Sequence, residues 1–221
     1  MPATPPPASL EGFPLHALAT GDVVHRVVRA RDEDGRPREP FFFSGAAAGA
    51  VGAGRFDLPA PEGSCYLSDR RAGAWLEVFR GTGLVDRVDV ERRRMVTARR
   101  TGPALELADL AAAGARPFGV TANLTAGEEY ALPQRWARAL RAAGRPGLVA
   151  PVRHDPTARA RAVVLFGAAG PRQRLRGWRS RVTPLVEDDA LLAELRPYGT
   201  GVQDRPYDVP VVAPAEAGGH P

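Results

Sequence analysis

Short apolar runs of β character, separated by segments of helical periodicity, constrain this chain more than anything else in its sequence. Residues 23–28, 84–90, 148–152 and 162–166 are Val- and Leu-rich runs of strand length. Between them, apolar residues recur at three- and four-residue spacing. The clearest helix begins near Ser68-Asp69, whose side chains can accept hydrogen bonds from first-turn amides, and sets Ala72, Trp75, Leu76 and Phe79 toward a core. A second helix is expected over 132–143, with Pro133 tolerated in its first turn, Gly144 ending it, and Trp136, Ala139, Leu140 and Ala143 facing inward. Shorter helices are expected over 105–113, ended by Gly114, and over 188–195, ended by the Pro197-Tyr198-Gly199 turn. At 221 residues such a chain is long enough for one well-cored domain of mixed α and β structure.

Both ends read differently from the middle. Residues 1–11 form a proline-rich leader in which Pro5-Pro6-Pro7 favours an extended segment, and residues 206–221 form a Pro/Gly-rich tail expected to be flexible, leaving 12–205 as the domain. The formal charge of +5 does not by itself indicate nucleic acid. All 30 basic residues are Arg, and 25 acidic residues are spread among them. The densest cluster, Arg92-Arg93-Arg94 with Arg99-Arg100, follows Asp86, Asp89 and Glu91, as on a solvated face. Direct nucleic-acid binding is therefore not expected. Nor is a membrane partner, because no apolar run approaches the ~18 residues of a span. The one cysteine, Cys65, excludes an internal disulfide framework. His16, His25, His154 and His220 have no metal-ligand spacing with it or with each other, so no metal site is expected. The expected location is cytoplasmic, and self-association is left open.

Four residues suggest chemistry. Strict alternation places Val24, Arg26 and Val28 on one strand face, which the residues alone leave either buried or solvated; an inward Arg26 would need an ionic partner or a ligand. Gly54-Arg55-Phe56 ends the glycine-rich stretch 45–54. That stretch lacks the Gly-Lys-Ser/Thr ending of a nucleotide loop and the strand-helix setting of a Gly-x-Gly-x-x-Gly turn, so it reads as a flexible small-residue loop with an anion-binding Arg at its end. Tyr66 lies in the short strand Cys65-Tyr66-Leu67, where a core role and a stacking role are both open. Glu77 falls about 100° around the helix from Leu76, at the border of the apolar stripe, where a carboxylate can reach a cleft. Two cations, an aromatic ring and a carboxylate suit an anionic nucleotide with a cleavable glycosidic bond.

In order, His25-Arg26-Val27, Gly54-Arg55-Phe56-Asp57, Tyr66-Leu67-Ser68 and Ala74-Trp75-Leu76-Glu77 resemble the RES domain family, which is named for its Arg, Glu and Ser. Leu124-Thr125-Ala126-Gly127 through Tyr130, Gln134-Arg135-Trp136-Ala137, and Gly147-Leu148 followed by Arg153 and by Ala162-Val163-Val164-Leu165-Phe166 extend the resemblance over residues 12–167. It implies an α+β fold, a compact single domain similar to the ADP-ribosyltransferase toxins, and an NAD-consuming activity without a further cofactor. Many family members are toxins of bacterial toxin-antitoxin pairs neutralised by a helix-turn-helix antitoxin, and some split NAD with inorganic phosphate as acceptor. By resemblance, Arg26 and Glu77 are the catalytic pair. Arg26, Arg55 and Tyr66 bind substrate, with Glu77 countering oxocarbenium-like charge on the ribose and the arginines clamping the pyrophosphate. The family Ser has no counterpart, since the segment from Gly147 to His154 offers no hydroxyl side chain before Thr157; Arg153 is the nearest candidate to hold a phosphate acceptor. The resemblance leaves two other activities open, transfer of ADP-ribose to a protein or small molecule, and nucleotide binding without turnover.

Overall fold

The computed structural model describes residues 4–46, 50, 52–80, 83–186 and 189–204. They build one α+β domain around an eight-stranded mixed sheet. Its strands in chain order are β1 (Leu15–Leu18), β2 (Val23–Arg29), β4 (Glu62–Ser68), β6 (Arg93–Arg100), β7 (Leu105–Asp109), β8 (Gly147–Pro151), β9 (Arg161–Ala168) and β11 (Trp178–Pro184). Spatially they run β1-β7-β8-β9-β4-β2-β6-β11. All neighbours are antiparallel except β7 and β8. Two small ladders complete the β structure, β3 (Phe41–Phe43) with β10 (Gly170–Arg172) and β5 (Leu84–Asp86) with β12 (Gly201–Gln203).

The sheet curls, and residues from both of its halves meet on one face. Val24 and Val28 of β2, Val96 and Ala98 of β6, Cys65 and Leu67 of β4, and Val163 and Leu165 of β9 share a cluster there with Phe41 and Phe43. The other face is covered by helices. Helix α4 (Ala131–Ala142) brings Trp136, Ala137 and Leu140 onto Leu148, Val164 and Phe166. Helices α1 (Arg71–Phe79) and α5 (Asp189–Leu195) pack Trp75, Leu191 and Leu195 against Val27 and Met95. Trp75 and Trp136 are both fully buried, and each removes a large apolar surface from water. Two short helices, α2 (Arg87–Glu91) and α3 (Ala122–Ala126), lie in connections. No helix among the described residues is long and apolar enough to cross a membrane.

The expected helices of α1, α4 and α5 are present within a few residues of their read boundaries. α1 starts at Arg71, after the Ser68 hydroxyl has accepted the Arg70 amide at 3.3 Å. Two assignments are corrected. Residues 105–109 form strand β7, because Leu107 and Ala108 are needed between β1 and β8 and that burial overrides the helix preference of a Leu/Ala/Glu segment. The run 84–90 is divided, since the Asp86 carboxylate accepts the Val88 amide at 2.9 Å and starts α2. At the leader, the Trp136 indole donates to the Thr4 carbonyl at 2.9 Å. Residues 206–221 lie outside the described residues.

Candidate functional site

Strands β2 and β4 pair at a single position, His25 opposite Ser68, and then part. β2 continues along β6 and β4 along β9, each in full register. A cleft of about 480 Å³ opens over this parting on the helix-covered face. Tyr66, Leu67, Ala162 and Val164 come from its strand floor, and Ala74, Glu77 and Val78 of α1 form one wall. These three helical residues sit at i, i+3 and i+4, a stripe beside the one that buries Trp75 and Leu76. The facing wall comes from residues 52–56 with Thr125 and Tyr130, and the rim from Pro151, Arg153, His154 and Arg80.

Arg26, Arg55, Tyr66, Glu77 and Arg153, all singled out in the sequence, line this one cleft. Arg26 spans the parting. Its guanidinium donates to Cys65 Sγ at 2.9 Å and to the Phe42 carbonyl at 3.2 Å. Arg55 is 7 % exposed, donates to the Gly127 carbonyl and lies 4.7 Å above the Tyr130 ring. Its Nη1 is buried with no protein partner among the described residues, an orphaned cationic donor of the kind a ligand satisfies. Burial lowers the Arg55 pKa; Tyr130 opposes that shift, and the neighbouring Arg153 adds to it.

The Tyr66 hydroxyl is fully engaged. It donates to Asp57 Oδ1 at 2.8 Å and accepts the Phe56 amide at 2.8 Å, so only the ring is free to meet a ligand. Burial and the Asp57 carboxylate push the phenol well above its ordinary value. Asp57 is 1 % exposed and also accepts the Ser44 hydroxyl at 2.6 Å and the Gly54 amide at 2.7 Å. A Cβ at position 54 would lie 2.5 Å from the Tyr66 hydroxyl, so the turn that presents Arg55 requires glycine. From α4, the buried Gln134 amide donates to the Gly54 carbonyl at 3.0 Å.

Glu77 lines the cleft and is exposed to water at its mouth. Burial raises its pKa; the Arg153 amide, which donates to Oε1 at 3.3 Å, and the charges of Arg55 and Arg153 pull the other way. Arg153 also extends its guanidinium toward the Tyr130 hydroxyl at 3.5 Å. Tyr130 thus stands between two cations, and with Asp57, Gln134, Thr125 and Arg80 it joins the site without having been read as functional. The segment after β8 offers no hydroxyl to the cleft. Val152 is 2 % exposed and packs with Leu76, Ala160 and Ala162, while the Thr157 hydroxyl donates to Asp155 Oδ1 at 2.6 Å. Asp155 in turn holds the loop through the Thr157, Arg159 and Ala160 amides; burial raises its pKa, but these bonds outweigh burial and leave it lowered.

His25 marks where the parting begins, with its ring Nδ1 3.2 Å from the Thr97 hydroxyl. Burial, then the charge of Arg71, lowers its pKa to about 4. Between that value and the ordinary 6.5 the unfolded chain binds more protons than the folded one, so stability falls as pH drops through this window. For a ring that keeps some contact with water the loss is roughly 2 kcal/mol. Urea midpoints at pH 7 and pH 4.5 measure it, and the portion due to this ring is absent in His25→Gln.

The RES domain family model matches residues 23–183. No curated protein matches the chain. Among solved structures, a chain from the crystal structure of the M. tuberculosis MbcT-MbcA toxin-antitoxin complex is similar, with a TM-score of 0.52 and 17% identity, covering 82% of this chain and 92% of the other. At that identity the likeness is one of fold.

Proposed function

The chain belongs to the RES domain family, and from that premise we propose that it consumes NAD, breaking the bond between nicotinamide and ribose in the cleft, as the cytoplasmic toxin of a toxin-antitoxin pair. The observation that carries this reading is the charge pattern of the lining. Four arginines, Arg26, Arg55, Arg80 and Arg153, surround a space in which Glu77 is the one carboxylate among the described lining residues. An anion with a reaction centre that turns cationic fits such a lining. As the glycosidic bond breaks, its electron pair leaves with nicotinamide and positive charge develops on the ribose, which a fixed carboxylate stabilises more in the transition state than in the ground state. Arg26 and the unsatisfied Nη1 of Arg55 hold the pyrophosphate, and the free face of Tyr66 packs on the nicotinamide or ribose.

With inorganic phosphate as acceptor, a phosphate oxygen forms the new bond to the anomeric carbon, and nicotinamide and ADP-ribose 1″-phosphate are released. Arg153, beside Glu77, holds the acceptor in this scheme. Val152 favours a second reading, a nucleotide-binding relative without turnover, because the segment in which the family places its Ser presents a buried aliphatic side chain. Incubation of the purified protein with NAD, with and without phosphate, separates the outcomes. Phosphate-dependent ADP-ribose 1″-phosphate marks phosphorolysis, free ADP-ribose marks hydrolysis, and label on protein marks transfer. NAD left intact rules out the proposed activity. A helix-turn-helix antitoxin is the proposed partner; co-expression should suppress NAD loss.

Arg80 offers a separate check. It closes α1 in the left-handed conformation, φ 54° and ψ 36°, and donates its amide to the Leu76 carbonyl at 2.7 Å. A side chain there costs on the order of 1 kcal/mol that glycine avoids. Arg80→Gly is therefore expected to raise the urea midpoint while weakening NAD binding several-fold. A variant that is both more stable and equally tight in binding removes Arg80 from the site.

A further inference from the structure

Past Arg26 the same strand borders a second, smaller pocket of about 170 Å³. Arg26, Arg29, Arg38, Arg93 and Glu39 line it together with Val27 and Val28. Four cations face one carboxylate, and two of the cations are directly opposed, because Arg29 of β2 is in register with Arg93 of β6. Like charges opposite each other across a ladder destabilise a sheet. The main chain of the third, Arg38, is held in place: the Arg94 guanidinium donates to the Arg38 carbonyl at 2.6 Å and to the Ala30 carbonyl at 3.0 Å, and the Arg38 amide donates to the Ala30 carbonyl at 3.1 Å. Arg93 stacks 5.0 Å over the Phe79 ring, and its Nε is buried with no partner among the described residues. Burial, then Arg29, lowers the Arg93 pKa, and only Asp89 opposes this. A mutually repelling group of guanidinium ions becomes favourable when an oxyanion sits among them.

We propose that this pocket is a phosphoryl-binding subsite, joined to the main cleft through Arg26. The volume is below the roughly 300–1,000 Å³ typical of pockets for drug-sized ligands, so it takes a tetrahedral oxyanion and its water rather than a nucleoside. The phosphoryl group comes either from free phosphate or from the pyrophosphate of a dinucleotide in the cleft. Only that choice rests on the NAD reading.

Inorganic phosphate is titrated by calorimetry at constant ionic strength, balanced with chloride, in the absence of any nucleotide. The protein should bind it saturably. Arg29→Gln/Arg38→Gln, two exposed positions whose loss leaves the core intact, should bind it about tenfold more weakly or worse. Arg29→Gln alone should raise the melting temperature in phosphate-free buffer, because it removes the opposed charge. The titration is then repeated with saturating ADP-ribose. Competition identifies the pyrophosphate as the carrier, and simultaneous binding identifies free phosphate; both support the subsite. No saturable binding, or equal affinity in the double variant, overturns it. Phosphate binding by a protein that leaves NAD intact keeps the subsite and sinks the proposed activity, so the two can fail separately.

Discussion

Glu77→Gln is expected to slow nicotinamide release on the order of 100-fold or more, the usual loss when one oriented electrostatic group is removed. The change keeps the size of the side chain and an oxygen for the Arg153 amide, but takes away the charge that would oppose the developing cation. It should not unfold the protein. Burial raises the Glu77 pKa, so the folded state holds a proton there more tightly than the unfolded chain does. The stability linked to this carboxyl is present below its unfolded value and is lost as pH rises through its folded value. At neutral pH the ionised side chain therefore costs stability, and the Gln variant should melt at an equal or higher temperature. NAD turnover by the proposed mechanism should have the opposite dependence, disappearing as pH falls through a value above the ordinary 4.5. Full activity in Glu77→Gln would remove this residue from the chemistry.

The second large effect is on architecture. Asp57→Ala should lower stability by about 3–5 kcal/mol and abolish activity, because the Ser44 hydroxyl, the Gly54 amide and the Tyr66 hydroxyl all lose their acceptor, and donors left unsatisfied in the interior cost about 1–3 kcal/mol each before relaxation. Those three bonds fix the turn that presents Arg55. Tyr66→Phe is the graded comparison. It removes one donor to Asp57 and leaves the Phe56 amide without its acceptor, keeps the ring, and should cost about 1–3 kcal/mol, less than the loss of all three bonds to Asp57. Urea unfolding followed by tryptophan fluorescence reports both variants. If Asp57→Ala is no less stable than Tyr66→Phe, the turn is held by other contacts.

Local pattern revealed the elements that carry the site. The Val-rich run of β2, the Trp75-Leu76 stripe of α1 and the Pro133 start of α4 are signals confined to one segment, and each segment adopts the state its own residues prefer. Residues 105–109 have no such signal, because their strand state depends on β1 and β8 at either side. Arg26 was ambiguous for a related reason. Alternation sets it beside Val24 and Val28, on the face away from the helices, and whether it reaches the cleft on the other face depends on where β2 and β4 separate. The importance of Tyr130 arises from Arg55 and Arg153, which approach it from 75 residues before and 23 residues after in the chain; the latter contact is the 3.5 Å bond to its hydroxyl. Asp57 carried no local signal of its role, because its three donors come from the residue after β3, from β4 and from the turn itself.

The parting of β2 from β4 has one more consequence. Beyond His25 and Ser68 the two halves of the sheet are tied by side chains such as Arg26 rather than by rungs of backbone hydrogen bonds. A ligand of the kind proposed would bridge this seam, so that its binding and the cohesion of the two halves would be coupled in a single thermodynamic quantity.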